Sequence, residues 1–117
     1  AGWASNDNIT SNHTEWVKMD LAASYSISKV DLYPRNNSGY VGEYFPVDFT
    51  IKVSTDDTNW STVVTQTGYA KPGDAVQSFT FSSQSARYVK IEGTNLRQCS
   101  LDSNYYRMVF AEIEVYN

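Results

Sequence analysis

The clearest pattern along the chain is a regular alternation of apolar and polar residues. In residues 48–54, Phe49, Ile51 and Val53 alternate with polar neighbours. A period of two places successive side chains on opposite faces of a strand, which is typical of a half-buried strand. No stretch of comparable length shows the 3.6-residue period of an amphipathic helix. The alternation predicts seven strands, at residues 16–21, 27–33, 48–54, 61–66, 76–81, 87–93 and 108–116.

The segments between these strands are rich in Asn, Ser, Gly and Tyr. Residues 35–44 and 94–106 are predicted to form long loops, and residues 82–85 to form a turn. In the last strand we expect Val109, Ala111, Ile113 and Val115 to share one face. Strands of this length and spacing predict an all-β protein with antiparallel sheets, folded as a sandwich or a barrel.

Composition limits the classes of function. A chain of 117 residues is long enough for one domain with a single core. Its formal net charge of −4 disfavours binding to nucleic acids or anionic membranes, which need clustered Lys and Arg. The sequence contains no apolar run near the ~20 residues that span a bilayer, so we expect no membrane insertion.

Residues with catalytic chemistry are sparse. Cys99 has no second cysteine to pair with, and the only candidate base, His13, is distant in sequence. Acidic residues occur mostly in predicted turns, whereas a glycosidase needs two carboxylates facing one another across the scissile bond. We therefore expect a protein that is not an enzyme.

Six motifs, in this order, carry a family likeness. They are Trp3-Ala-Ser, Glu15-Trp-Val-Lys-Met-Asp-Leu21, Val30-Asp-Leu-Tyr-Pro-Arg35, Phe49-Thr-Ile-Lys-Val-Ser-Thr-Asp-Asp-Thr-Asn-Trp60, Ala86-Arg-Tyr-Val-Lys-Ile91 and Phe110-Ala-Glu-Ile-Glu-Val-Tyr116. The chain resembles discoidin domains (coagulation factor 5/8 C-type) over essentially its whole length. Among them it most resembles bacterial family 32 carbohydrate-binding modules, because the terminal disulfide usual in animal discoidin domains is absent.

The resemblance implies one discoidin-like carbohydrate-binding domain over residues 1–117, with a galactose-binding-domain-like jelly-roll β-sandwich. It implies non-catalytic binding of a glycan, with a terminal galactose- or N-acetylhexosamine-type sugar held by loops at one end of the sandwich. The matching loops are residues 10–16, 35–44, 69–75 and 97–107. It also implies a secreted or cell-surface protein of bacterial origin, in which the domain is appended to a glycoside hydrolase.

Arg35 is the first candidate ligand-binding residue, because relatives often place a sugar-contacting Arg after the strand-ending Pro. The alternative is a surface Arg paired with a carboxylate. Asn36 and Asn37 offer both donors and acceptors to sugar hydroxyls, or they shape the loop through Asx-turns. Of Tyr40 and Tyr44, we expect one ring to be a platform for the sugar and the other to pack.

The other candidates come from two further segments. His13 and Glu15 lie near the position where galactose-binding relatives often carry a contacting His. Tyr105, Tyr106 and Arg107 precede the last strand, and consecutive tyrosines face opposite ways, so we expect at most one of the two in the site. Trp16 is expected in the core or on the strand surface, and Trp60 is expected to plug the sandwich end; these two are not counted among the candidates.

The resemblance also bears on a metal. Relatives usually begin with about twenty more residues, including a first strand and an Asp-rich loop that helps to bind calcium; we expect both to be missing here. A calcium ion takes six to eight oxygen ligands, and most would come from that loop. We therefore expect no certain cofactor, and at most a structural calcium in the full-length domain, with Glu112 as the matching late ligand.

Two other functions are open to a discoidin-like fold. The first alternative is an adhesion or protein-binding domain, which would present a flat or extensive apolar contact surface. Phospholipid binding ranks lower, because the loops carry Tyr without clustered Lys or Arg.

Overall fold

The computed structural model describes residues 2–5 and 8–117, and no helix occurs in these two ranges. The strands are Trp3–Ala4 (β1), Glu15–Tyr33 (β2), Asp48–Ser54 (β3), Ser61–Gln66 (β4), Gln77–Asn95 (β5), Arg97–Cys99 (β6), Tyr105–Arg107 (β7), Val109–Phe110 (β8) and Glu112–Tyr116 (β9). The prediction of an all-β fold is confirmed. The described part of the chain holds no helix with the length and apolar character that crossing a membrane demands.

One five-stranded sheet forms the framework, in the order β4-β3-β5-β2-β9. Every neighbouring pair in this sheet is antiparallel, as predicted. The 19-residue strands β2 and β5 pair along almost their whole length. Their halves near Glu15 and Asn95 form one layer with β3 and β4, and their other halves form the second layer with β9. Two short ribbons, β1-β8 and β6-β7, complete the sandwich.

The bends in β2 and β5 are bulges rather than loops. Six residues of β2, from Asp20 to Tyr25, lie opposite three residues of β5, from Tyr88 to Ala86. A second register shift follows between Ile27 and Lys29 of β2. A bulge bends a strand without ending it, so each strand passes from one layer to the other. The predicted separation of 16–21 from 27–33 is therefore wrong.

The turn predicted at residues 82–85 is also wrong. Ser85 and Gln84 pair with Ser26 and Ile27, and β5 continues through the segment. A run of Ser and Gln is typical of a turn in sequence. Here the partner strand supplies the backbone hydrogen bonds that keep the segment extended.

The C-terminal segment contains two strands where one was predicted. β8 pairs with β1 and β9 pairs with β2, and Ala111 lies between them. This break reverses which side chains point inward, so Phe110 is only 1% exposed, whereas Val109 is half-buried. The expectation that Val109 and Ala111 would share the inner face with Ile113 is wrong for this reason.

The core lies between the two layers and has an aromatic end. The Phe45 ring centroid lies 5.8 Å from that of Phe49, 5.4 Å from that of Tyr69 and 5.5 Å from that of Phe110. Aliphatic side chains fill the rest; those in the buried cluster are Val17, Ile27, Val30, Leu32, Ile51, Val53, Val89, Ile91 and Leu96. The aromatic end lies directly beneath the loops, so core packing and loop position are linked.

We expect Ile91→Ala to destabilise the domain by about 2–5 kcal/mol, because its side chain is 0% exposed on the central strand and its removal leaves a cavity. Urea unfolding measures this. Thr65→Ala, at an exposed position of β4, is the control and should change the free energy of unfolding by no more than about 0.5 kcal/mol. Equal losses in both variants would contradict the central position of β5.

Candidate functional site

Four segments meet at one end of the sandwich, which we call the loop end; they are residues 8–14, 34–47, 67–76 and 96–107. The Tyr106 amide donates to the Ile9 carbonyl at 2.8 Å. The Leu96 amide donates to Oδ1 of Asn12, also at 2.8 Å. These bonds connect the first segment to the last. The loops that the resemblance assigns to the ligand therefore start from a common end of the framework.

Arg97 fastens the middle segments to one another. Its Nε donates to the Phe45 carbonyl at 3.0 Å, and its Nη2 donates to the Tyr69 carbonyl. Nearby, the Lys71 ammonium donates to Glu43 Oε1 at 2.7 Å, with the Glu43 side chain buried. Arg97 belongs to the last segment, so its guanidinium joins that segment to residues 34–47 and 67–76.

Glu43 and Cys99 form a buried polar contact within this network. Burial works to raise the pKa of Glu43, but hydrogen bonds from Lys71 and the Cys99 thiol outweigh it and hold the pKa below its ordinary value. Burial, together with the hydrogen bond to Glu43, raises the pKa of the Cys99 thiol. The thiol is free and buried, so it acts here as a donor to Glu43.

Tyr44 is the packing tyrosine of the predicted pair. Its side chain is 0% exposed, and its φ of 66° lies in the left-handed region, which costs a non-glycine residue about 1–2 kcal/mol. The hydroxyl donates to Asp102 Oδ2 at 2.8 Å. Burial and this carboxylate together raise the pKa of the Tyr44 phenol. A ring so enclosed offers no face to a ligand, so a direct ligand contact by Tyr44 is not supported.

Arg35 lies next to Tyr40 on the same loop. Its guanidinium carbon is 4.7 Å from the Tyr40 ring centroid, within cation–π range, and Nε donates to Asn37 Oδ1 at 3.4 Å. Among the residues that the structure describes, no carboxylate lies within 4.0 Å of the Arg35 guanidinium. The alternative of a carboxylate-paired surface Arg is therefore not supported.

A groove of about 350 Å³ opens beside Arg35. Arg35, Asn36 and Asn37 line it together with Trp3 and Phe110. The Trp3 and Phe110 rings are stacked, with centroids 6.5 Å apart. The groove therefore combines a fork of N–H donors, two amide side chains and an apolar wall.

Arg107 occupies the neighbouring part of the loop end. Its guanidinium carbon lies 4.9 Å from the Tyr105 ring centroid and 5.9 Å from that of Tyr44. Nη1 is 3.5 Å from Asp102 Oδ2, and Nη2 donates to Oδ1 of Asn8. Tyr105 is half-buried, while Tyr106 packs against the core, so Tyr105 is the member of the pair placed toward the site.

His13 and Glu15 form a separate pair at the start of β2. His13 Nε2 lies 2.7 Å from Glu15 Oε2, and Nδ1 lies 2.9 Å from the Ser11 carbonyl oxygen. Both neighbours are oxygen acceptors, so the imidazolium form, which donates from both nitrogens, satisfies both contacts. Glu15 pairs with Gly93 across the sheet, which places this pair at the loop end beside β5.

Glu112 lies at the start of β9, where its side chain is exposed. Among the described residues, no group of three or more His, Cys, Asp and Glu side chains could hold a metal ion. The role of Glu112 as a calcium ligand stays a prediction.

Sequence reasoning missed several residues of this end. Trp3 was not among the candidates, yet it lines the groove. Asp102 was not among them either, yet it accepts a hydrogen bond from the Tyr44 hydroxyl. Arg97 was not singled out, because a strand-edge Arg carries no local signal of the two carbonyls that it binds. Each role depends on contacts between residues far apart in sequence.

We expect Gly42→Ala to destabilise the domain by at least about 3 kcal/mol. Gly42 has a φ of +73°, and an added Cβ would lie 1.9 Å from the Pro72 carbonyl oxygen, so backbone strain adds to a clash. Gly39→Ala is a matched control, because Gly39 has a φ of +84° with no atom within 4 Å of the added Cβ. It should cost only about 1–2 kcal/mol in thermal unfolding. Equal losses would show that residues 42 and 72 do not touch.

We expect Glu43→Gln to flatten the acid side of the stability profile. The folded pKa of Glu43 lies below its ordinary value of 4.5, so ionised Glu43 stabilises the fold above that pH, and the contribution is lost as the pH falls through the folded pKa. The midpoints of urea unfolding at about pH 6 and about pH 3 measure this contribution. Wild type should lose more stability than Glu43→Gln over this range. The exposed control Asp74→Asn should follow wild type, and a Glu43→Gln slope equal to wild type would refute the coupling.

The chain resembles known proteins in both sequence and fold. Residues 2–91 match the F5/F8 type C family described as NedA-like, galactose-binding domain. Chitosan-binding module 1 of a chitosanase/glucanase from Paenibacillus sp. IK-5 is 28% identical, with a TM-score of 0.75, covering 99% of this chain and 76% of the module. Among proteins of curated function, none matches the chain.

Two further solved structures extend the likeness. Chitosan-binding module 2 of the same Paenibacillus enzyme, solved with chitotriose, is 26% identical with a TM-score of 0.67, covering 87% of this chain and 69% of the module. A family 32 module of Clostridium perfringens, solved with GalNAc-β-1,3-galactose, is 20% identical with a TM-score of 0.76, covering 99% and 75%. The fold is therefore the galactose-binding-like β-sandwich of carbohydrate-binding modules. With most of its length matched, the chain belongs to the F5/F8 type C (discoidin-like) family of NedA-like, galactose-binding domains.

Proposed function

We propose that this domain is a non-catalytic carbohydrate-binding module that holds a terminal galactose- or N-acetylhexosamine-type sugar at the loop end. The observation that carries the proposal is Arg35, whose guanidinium lies over Tyr40 beside the groove without a carboxylate partner among the described residues. A guanidinium in this state is free to donate to hydroxyl oxygens of a ligand.

The groove suits the two kinds of surface that a neutral sugar presents. Hydroxyls can pair with Arg35 and with the side-chain amides of Asn36 and Asn37, while the ring C–H groups can lie against an aromatic face. Trp3 and Phe110 are the aromatic residues that line the groove, and Tyr40 adjoins it through its contact with Arg35. In this proposal Tyr40 is the platform, and the buried Tyr44 packs without touching the ligand.

The remaining candidates surround this centre. Arg107 lies next to both Tyr44 and Tyr105. We place Tyr105 and Arg107 at the rim, where they contact a second sugar unit or the group attached to the terminal sugar. The His13–Glu15 pair belongs to the opposite rim of the loop end. We expect contacts from these residues to affect which glycosidic linkage is preferred more than the affinity for the terminal sugar. The reason is that loop segments separate these residues from Arg35.

Relatives support a sugar as the ligand class. The two Paenibacillus modules are described as chitosan-binding, and the Clostridium module was solved with a disaccharide of N-acetylgalactosamine and galactose. Such modules occur in chains with enzymes that act on polysaccharides, as in a truncated protein that contains a family 32 module and an alginate lyase domain. We therefore propose an extracellular bacterial setting, in which the module raises the local concentration of an attached enzyme on its substrate.

The test is a titration followed by heteronuclear NMR, with galactose, N-acetylgalactosamine, N-acetylglucosamine and glucose. We expect shifts confined to residues 2–4, 35–44 and 97–111, which include the lining of the groove, and a dissociation constant on the order of 0.1–1 mM, because a shallow monosaccharide site buries few atoms. Arg35→Ala should weaken binding at least about tenfold, since it removes charge-assisted hydrogen bonds.

Arg87→Ala provides the matched control, because Arg87 pairs with Asp20 on a different surface. It should bind the sugars as wild type does. Normal binding by a folded Arg35→Ala variant would remove the central residue from the proposal. Failure of the folded domain to bind any of the four sugars would instead favour the adhesion alternative.

A further inference from the structure

A second surface with ligand-binding chemistry lies on the outer face of the five-stranded sheet. Lys18, Lys90 and Lys52 are direct cross-strand neighbours on β2, β5 and β3, so three ammonium groups form one row. The chain has five lysines, and three of them are in this row although the formal net charge is −4. Like charges placed directly opposite one another destabilise a sheet. We call this set the lysine row.

Two carboxylates offset part of the charge. Lys18 Nζ lies 2.8 Å from Asp57 Oδ2, and Lys52 Nζ lies 3.1 Å from Glu92 Oε1. For the middle member, Lys90, the described residues include no carboxylate within 4.0 Å. The positive charge of the row is therefore concentrated at its centre.

Two tryptophans flank that centre. Lys90 Nζ lies 4.6 Å from the Trp60 ring centroid and 6.0 Å from that of Trp16. Trp16 is 53% exposed, which is unusual for the largest apolar side chain, and Trp60 is half-buried. The predicted role of Trp60 as a plug of the sandwich end does not describe this position, because its ring instead packs over Lys90 on the outer face.

We propose that the outer face carries a second carbohydrate site, which takes the uronate-bearing chain of an anionic polysaccharide. The lysine row binds the carboxylates, and the exposed faces of Trp16 and Trp60 cover sugar C–H groups. Charge complementarity selects an anionic occupant, and two indole rings beside Lys90 favour the C–H faces of sugar rings over an acidic peptide. The site is separate from the groove at Arg35, so its failure and that of the proposed loop-end site are distinguishable.

The experiment uses oligomers of polygalacturonate, and their fully methyl-esterified form as a neutral control of the same backbone. The indole N–H resonances of Trp16 and Trp60 should shift with polygalacturonate, and the methyl ester should bind at least roughly fivefold more weakly. Binding should fall in high salt, because exposed charges are screened. Lys90→Gln, which keeps most of the side-chain length, should reduce affinity roughly fivefold.

Arg35→Ala and polyglutamate complete the test. Arg35→Ala should bind polygalacturonate as wild type does, while Trp16→Ala, at an exposed position that the fold does not require, should lose affinity. The proposal is overturned if the indole resonances do not move, if Lys90→Gln binds normally, or if Arg35→Ala loses polygalacturonate binding. Equally tight binding of polyglutamate would also overturn it, because the face would then recognise charge alone.

Discussion

The pairing of β2 with β5 is the constraint on which the rest of the structure depends. These two strands supply both layers of the sandwich, and β3 and β9 add to them on either side. The bulge after Asp20 bends the pair, so that Val17 and Val30 of the same strand belong to one core from opposite layers. The same pairing ends at Glu15 and Gly93, close to where two of the loop segments begin, and it therefore fixes where the loop end forms.

Preorganisation explains why so many polar contacts lie beneath a shallow site. A single sugar buries little area, so ordering loops on binding would cancel much of the gain in free energy. Arg97 and Asp102 hold the loops before any ligand arrives, through backbone carbonyls and through the Tyr44 hydroxyl. Tyr44 keeps a strained backbone because its ring is buried and its hydroxyl is hydrogen-bonded. Arg35 and Tyr40, which we propose face the ligand, thereby rest on a layer that does not need to move.

Features that depend on residues close in sequence were predicted correctly, whereas features that depend on distant residues were not. β3 and β4 have their predicted bounds, because their alternation is unbroken and needs no knowledge of a partner. The predictions for the 82–85 segment and for Ala111 were wrong. The neighbouring strand decides where a strand bulges and where its inward-facing side chains change, and the sequence does not show that neighbour. Within the site, the proximity of Arg35 to Tyr40 follows from their positions in one loop. The contributions of Trp3 and Asp102 do not, because Trp3 contacts Phe110 and Asp102 contacts Tyr44, each of them distant in sequence.

The enclosure of Cys99 has a consequence for the redox conditions that the fold tolerates. A single cysteine in an oxidising medium usually threatens to cross-link two copies of a protein. Here the sulfur is shielded by the β6–β7 ribbon, and its proton is retained because the thiolate form is disfavoured. Oxidants and mixed disulfides react with the thiolate, so the group is chemically quiet in the native state. The domain can thus keep an unpaired thiol where its relatives in animals rely on a covalent cross-link, and only unfolding would make it reactive.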